Sequence, residues 1–305
     1  MSESVRITDV SPRDGLQNEP LRDDSSSIPT HDKARLVRAL ERTGIDEIEI
    51  SSFVSPKWVP QLGDAADLGA MLAGTKPAGM TFSALVPNAK GLDQLLQANQ
   101  DAGEQLIDKA AVFTAASETF SQKNTNASIS ETLIRFEPVI ARAHDAGLTV
   151  RGYISCIIAC PFEGIILPER VAEVARRLLD LGADEIDLGD TIGAGVTETT
   201  AAMLAAVLDA IPADRLVLHL HDTFGRAAEC VRTGLAMGLR SFDSSVAGLG
   251  GCPYASTETT RAPGNISTET LVRLIRDQGF TTGVDDEQLR LAADVAAEIT
   301  RAPTP

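Results

Sequence analysis

The run LHLHDTFG holds two histidines one residue apart, His219 and His221. If that run is extended they share a face, because side chains alternate along a strand. Near the start of the chain, DVSPRDGLQNE places Arg13 beside Asp14, directly after a short β-branched run. Two imidazoles and a carboxylate suit a divalent transition or borderline cation, and three protein donors leave positions open for water or a chelating substrate. A permanently cationic guanidinium alongside would stabilise negative charge that develops during a reaction. The plain alternatives are a polar strand end and an exposed ion pair. The pattern carries chemistry only if the fold brings both runs to one place.

A third run, SSVAGLGGCPYAS at 244–256, sets Cys252 among Gly248, Gly250 and Gly251. Free cysteine is usually a buried structural thiol. Glycines at this density would weaken a strand or helix, so the expectation is a glycine-rich loop over about 247–264 that folds over a bound molecule and brings the thiol to it. Cys156 and Cys160 lie in the apolar ISCIIACPF stretch and Cys230 in a helical one, and all three are expected to be structural. His31 and His144 fall in helical segments without partner spacing and are expected to be solvated.

Placing these residues requires a scaffold, and the chain supplies a repeated one. Short β-branched runs occur at 5–10, 46–51, 81–86, 109–114, 149–155, 185–190, 216–221 and 241–247. Between them lie segments with apolar residues at three- and four-residue spacing, such as Val171, Val174, Ala175 and Leu178 after Pro168. Ser128 and Glu131 have the spacing of a capping box, and Gly44, Gly103, Gly147, Gly182 and Gly238 stand where helices should stop. Eight strand-then-helix units predict an α/β protein folded as a single (β/α)8 barrel spanning residues 1–305 as one catalytic domain. A doubly wound sheet uses the same units and stays open. A barrel would gather Arg13, Asp14, His219 and His221 at the C-terminal ends of its strands.

Composition limits the partners. The 305 residues are 43% hydrophobic and 23% charged, close to a typical globular chain. A net charge of −16 argues against nucleic acid. No apolar run is long enough for a membrane span. Four cysteines without a secretory leader fit reduced thiols and a cytoplasmic location.

The motifs VSPRDGLQNE, IEISSFVSPKWVPQLGD, RGYISC, LGDTIGAG, HLHDTFGRA and SVAGLGGCPYA, in that order along nearly the whole chain, together resemble the hydroxymethylglutaryl-CoA lyase family. The resemblance implies a metal-dependent barrel that makes or breaks carbon–carbon bonds beside carbonyls. It assigns Asp14, His219, His221 and Asn265 to a divalent cation, Mg2+ or Mn2+. It places Arg13 opposite the substrate carbonyl, gives Cys252 a proton-transfer role, and puts Glu49, Asp190 and Glu269 around the site. It further implies an acyl-CoA substrate, a role in leucine degradation and ketone-body formation, and a homo-oligomer, expected to be a dimer. Two stretches, 20–30 and 256–264, are longer than the family spacing. Alternatives are a lyase for a longer branched 3-hydroxyglutaryl thioester, a condensing synthase, and a non-catalytic metal- or CoA-binding protein on the same fold.

Overall fold

Each β-branched run becomes a strand whose alternate residues face two different environments. The computed structural model describes residues 3–21, 27–251 and 264–301. Its strands are β1 (Arg6–Asp9), β2 (Glu47–Ser52), β3 (Thr81–Leu85), β4 (Lys109–Ala115), β5 (Thr149–Ser155), β6 (Ala159–Cys160), β7 (Gly164–Ile165), β8 (Glu185–Asp190), β9 (Leu216–Leu220) and β10 (Ser241–Ser244). Eight of these close a barrel in the order β1-β10-β9-β8-β5-β4-β3-β2. β1 pairs in parallel with both β2 and β10, and this closure separates the (β/α)8 barrel from a doubly wound sheet. β6 and β7 form an antiparallel hairpin outside it that periodicity did not reveal. Two-residue strands are too short to show a period of two.

The helices are α1 (Thr30–Leu40), α2 (Ala65–Leu72), α3 (Ala89–Ala102), α4 (Glu118–Thr125), α5 (Ile129–Asp145), α6 (Pro168–Asp180), α7 (Thr197–Leu208), α8 (Ala227–Ala236), α9 (Thr268–Asp277) and α10 (Asp286–Thr300). Local chemistry sets their ends. Ser128 accepts from the Glu131 N–H while Glu131 accepts from the Ser128 N–H, at 3.2 and 2.7 Å, so the expected capping box opens α5. Pro168 occupies the first turn of α6, where its missing N–H is not needed. Gly103 closes α3 with a left-handed φ of 70°, which a side chain would disfavour.

Outward-facing strand residues are apolar. Ile48, Ile50, Phe82, Val112, Val150, Ile186, Leu188, Leu218 and Phe242 are buried against helix residues such as Leu36, Val174 and Leu178. Burial of each large side chain contributes roughly 1.5–3 kcal/mol. The inward set is different in kind. Barrel interiors are usually filled with branched aliphatics, yet here Lys109 pairs with Glu47 and with Glu185. Arg151, fully buried, donates through Nε to Glu185 at 2.6 Å and through Nη1 to Asp243 at 3.1 Å. Its Nη2 reaches Thr8 Oγ1 at 3.1 Å and Glu47 at 3.3 Å. Burial alone would raise the Glu185 pKa, but Arg151 and Lys109 hold it down at about 2. Asp187 is pushed well above the usual carboxylate range by burial and by the neighbouring charge of Asp243.

Removing the guanidinium strands several buried carboxylates without their counter-charge. Arg151→Met is therefore expected to destabilise the protein by roughly 3–5 kcal/mol in urea unfolding, the usual loss when one partner of a buried pair is deleted. A loss below about 1 kcal/mol would show that the interior carboxylates find other solvation.

Candidate active site

The turn after β1 is shaped by its proline and an unusual backbone bond. Pro12 fixes one φ, and the Gly15 N–H donates back to the Val10 carbonyl at 3.1 Å, closing a π-type turn over Ser11–Gly15. Arg13 and Asp14 sit on this turn and are both buried. Asp9, the last residue of β1, holds its base. The Asp9 carboxylate accepts from the Ser11 N–H at 2.9 Å and from the Ser11 hydroxyl. It also accepts from the Val246 N–H at 3.0 Å and the Thr268 hydroxyl at 2.7 Å. One buried carboxylate thus joins the Arg13–Asp14 turn, the loop after β10 and the start of α9.

His219 lies in β9 and His221 immediately follows it, with the same facing. The Nε2 atoms of His221 and His219 stand 3.6 and 4.0 Å from Asp14 Oδ2. One donor atom from each of the three residues lies within 4.8 Å of the others. Asn265 Nδ2 donates to the same Asp14 oxygen at 2.8 Å. Its register is set by backbone: the Ile266 N–H bonds the Leu220 carbonyl at 2.9 Å, and His221 and Asn265 form a β-bridge. Two imidazole nitrogens and a carboxylate oxygen, converging from two strand ends, fit a divalent cation. Burial alone would raise Asp14, but Arg13, with His221 and His219, holds its carboxyl well below the usual range. Asp14 is therefore an ionised donor.

Arg13 is fixed from two sides. Its Nε donates to Glu49 Oε2 at 2.5 Å and its Nη1 to Asp14 Oδ1 at 2.8 Å. Its guanidinium carbon stands 5.3 Å from the centre of the Tyr153 ring. Burial works against the Arg13 charge, and Glu49 and Asp14 more than restore it. Glu49 lies within β2 rather than at its end, beside a register shift between Glu49 and Ser51.

The structure brings Arg13, Asp14, Glu49, His219, His221 and Asn265 together. Asp190 and Glu269 engage backbone instead. The Asp190 oxygens accept from Ala194 and Gly195 N–H groups at 3.1 and 2.7 Å, curling the turn after β8. Gly193 of that turn approaches so closely that an added Cβ would meet the His221 carbonyl at 2.6 Å. Glu269 accepts from the Ala247 N–H at 3.2 Å and so braces the loop after β10. In that loop Gly250 has φ 95°, and a Cβ there would lie 2.8 Å from Asn265 Nδ2. Close approach, rather than freedom of movement alone, thus calls for glycine at 250. Cys252 lies outside the described residues.

Cys156, Cys160 and Cys230 are buried free thiols, as expected of structural cysteines. Burial raises the Cys230 pKa to about 11. His31 is exposed, with Asp32 3.4 Å away. His144 is exposed too, as expected, and its Nε2 lies 3.0 Å from Asp184 Oδ2, a cross-element pair that helical spacing could not show.

Sequence reasoning missed Gln17, Tyr153 and Asp243. Gln17 donates to Asp14 Oδ1 at 2.5 Å, and its signal was the three-residue spacing from Asp14. Asp243 Oδ2 lies 3.1 Å from His219 Nδ1. Its signal was an acidic residue at an inward position of the strand next to the histidines.

Comparison with known proteins places this geometry in context. A cytoplasmic 3-hydroxy-3-methylglutaryl-CoA lyase of Rattus norvegicus is 43% identical over 294 residues, covering 96% of this chain and 80% of the relative. A Pseudomonas aeruginosa 3-hydroxy-3-isohexenylglutaryl-CoA/hydroxy-methylglutaryl-CoA lyase is 44% identical over 285 residues, covering 93% and 89%. The crystal structure of the HMG-CoA lyase from Brucella melitensis superposes with a TM-score of 0.90 at 44% identity, covering 98% of this chain and 99% of that one. The HMGL-like family model matches residues 4–296, and the chain belongs to that family.

Proposed function

We propose that the protein is a hydroxymethylglutaryl-CoA lyase, cleaving 3-hydroxy-3-methylglutaryl-CoA to acetoacetate and acetyl-CoA. The observation that carries this reading is the meeting of Arg13 with the Asp14, His219 and His221 donors at one barrel mouth, in a chain more than 40% identical to such lyases over nearly its full length. In the reaction the tertiary hydroxyl loses its proton and the bond from C3 to the thioester-side carbon breaks. Its electron pair becomes an acetyl-CoA enolate, which then takes a proton. A divalent cation, Mg2+ or Mn2+, held by Asp14, His219, His221 and Asn265 would supply Lewis acidity toward the hydroxyl.

The chain's own residues do the rest. Arg13, oriented by Glu49, stabilises charge on the thioester oxygen as the enolate forms. Asp190 and Glu269 hold the loops that border the site. Cys252 moves a proton rather than forming an acyl adduct, because the cleavage needs no covalent intermediate. A specific observation keeps a longer branched 3-hydroxyglutaryl thioester in play: the Pseudomonas aeruginosa relative is named for both substrates.

The direct test incubates purified protein with thioesters bearing methyl and longer branches. Acetoacetate and acetyl-CoA are expected from the methyl compound, with activity abolished by exhaustive chelation and restored by Mg2+ or Mn2+. Full activity in metal-free protein would overturn the cation assignment. A much higher kcat/KM for a longer branch would identify the second substrate as the principal one.

Arg13→Met is expected to lower kcat by roughly 10²-fold or more with a smaller change in KM, as for loss of a donor used mainly in the transition state. Arg13→Lys should not rescue it, since a point charge lacks the planar fork. A raised KM at normal kcat would make Arg13 a ground-state anchor.

Cys252→Ser is expected to retain the fold and lose roughly 10²- to 10⁴-fold in rate, the usual contribution of a positioned acid or base. Alkylation should inactivate the wild type, with protection by a substrate analogue. An acyl adduct on Cys252 in intact-protein mass spectrometry would replace the acid/base assignment with a covalent one.

A further inference from the structure

His219 can offer only one ring nitrogen to a cation, and the structure shows which one is spoken for. Its Nδ1 lies 3.1 Å from Asp243 Oδ2, while its Nε2 faces Asp14 Oδ2 at 4.0 Å. Asp243 is only 2% exposed and is itself held in place. Arg151 Nη1 donates to its Oδ1 at 3.1 Å, and the Tyr153 hydroxyl reaches its Oδ2 at 3.4 Å. Arg151 in turn is locked by Glu185 and Glu47. A carboxylate in this setting accepts the Nδ1 proton and has none to donate to Nδ1.

We propose that Asp243 is a positioning residue that fixes His219 with its proton on Nδ1, so that the Nε2 lone pair is presented toward Asp14 for cation binding. This rests on the reading that Asp14, His219 and His221 hold the cation. Hydrogen-bonding partners of this kind orient ligand imidazoles and set their tautomer.

Asp243→Asn tests it with almost no change in shape. The amide oxygen will face the Arg151 guanidinium, because an NH2 there would oppose donor to donor. The NH2 is then left facing His219 Nδ1. A ring nitrogen that accepts at Nδ1 carries its proton on Nε2, the wrong tautomer for the site.

The primary readout is the His219 tautomer in metal-free protein, from long-range 1H–15N correlation spectra, paired with Mn2+ affinity from titration calorimetry. The wild type is expected to show Nδ1–H. Asp243→Asn is expected to show Nε2–H and to bind Mn2+ roughly 10- to 100-fold more weakly, the usual range for losing such a partner. Asp187, which with His219 and Asp243 offers one donor atom each, all within 4.8 Å of one another, serves as the comparison. Asp187→Asn should leave affinity near the wild-type value. A loss in Asp187→Asn equal to that in Asp243→Asn would mean that the cation sits on the Nδ1 side, and would overturn the proposal.

Equal Mn2+ affinity in wild type and Asp243→Asn would overturn it too. Wild-type protein that binds no Mn2+ would instead remove the cation reading on which it rests. Should Asp243→Asn fail to fold, the wild-type spectrum alone decides, since a neutral ring with its proton on Nε2 and none on Nδ1 in the metal-free wild type contradicts the proposal.

Discussion

The Arg151 guanidinium is the interaction on which the barrel interior depends. It is fully buried and bonds residues from β1, β2, β8 and β10 at once. Taking such a charge out of water costs several kcal/mol, and the cost is offset only where geometry is good and every neighbouring carboxylate has a donor. Its benefit is positional. An aliphatic interior tolerates small slips of packing, whereas a guanidinium fork accepts carboxylates only in its own plane and at fixed spacing. β2, which carries Glu49, and β1, which leads into the Arg13–Asp14 turn, are thereby keyed to β8 and β10.

Above that layer a chain of polar neighbours leads to the site. Arg151 bonds Asp243, Asp243 meets His219, and His219 faces Asp14. Asp14 bonds Arg13, and Arg13 returns to Glu49 on the opposite wall. Tyr153 stands between the two layers, edge-on to His219 with ring centres 6.1 Å apart. Buried networks of this kind are costly when partly satisfied and rigid when complete, and here Glu47 and Glu49 each keep one buried oxygen without a hydrogen bond.

Much of this was legible in the sequence. The β-branched runs matched seven of the eight barrel strands within one residue at each end, the last run, 241–247, extending three residues past β10, and the His-x-His spacing placed two donors on one face. Other features could not be read. The ion pairs of Lys109 and Arg151 join residues from strands far apart in sequence, and no local period reports such contacts. Asp190 illustrates the difficulty in reverse. The resemblance puts it around the site, and no periodicity shows that its oxygens also fold their own turn. Strand position fixes where a side chain starts, while its hydrogen-bond partners depend on loop geometry that periodicity does not encode.

The register of Asn265 has a consequence for how this protein can change over evolutionary time. Asn265 is held by the Ile266 bond to Leu220 and by the close approach of Gly250, with Asp222 N–H bonded to the Gly264 carbonyl. The chain therefore leaves and re-enters the site at two points fixed by the barrel itself. Lengthening the intervening chain costs little closure entropy, since that cost grows only with the logarithm of length. Added length between Gly251 and Gly264 therefore need not move Asn265. The position of Asn265 and the length of the chain that precedes it are thus separable traits in this architecture.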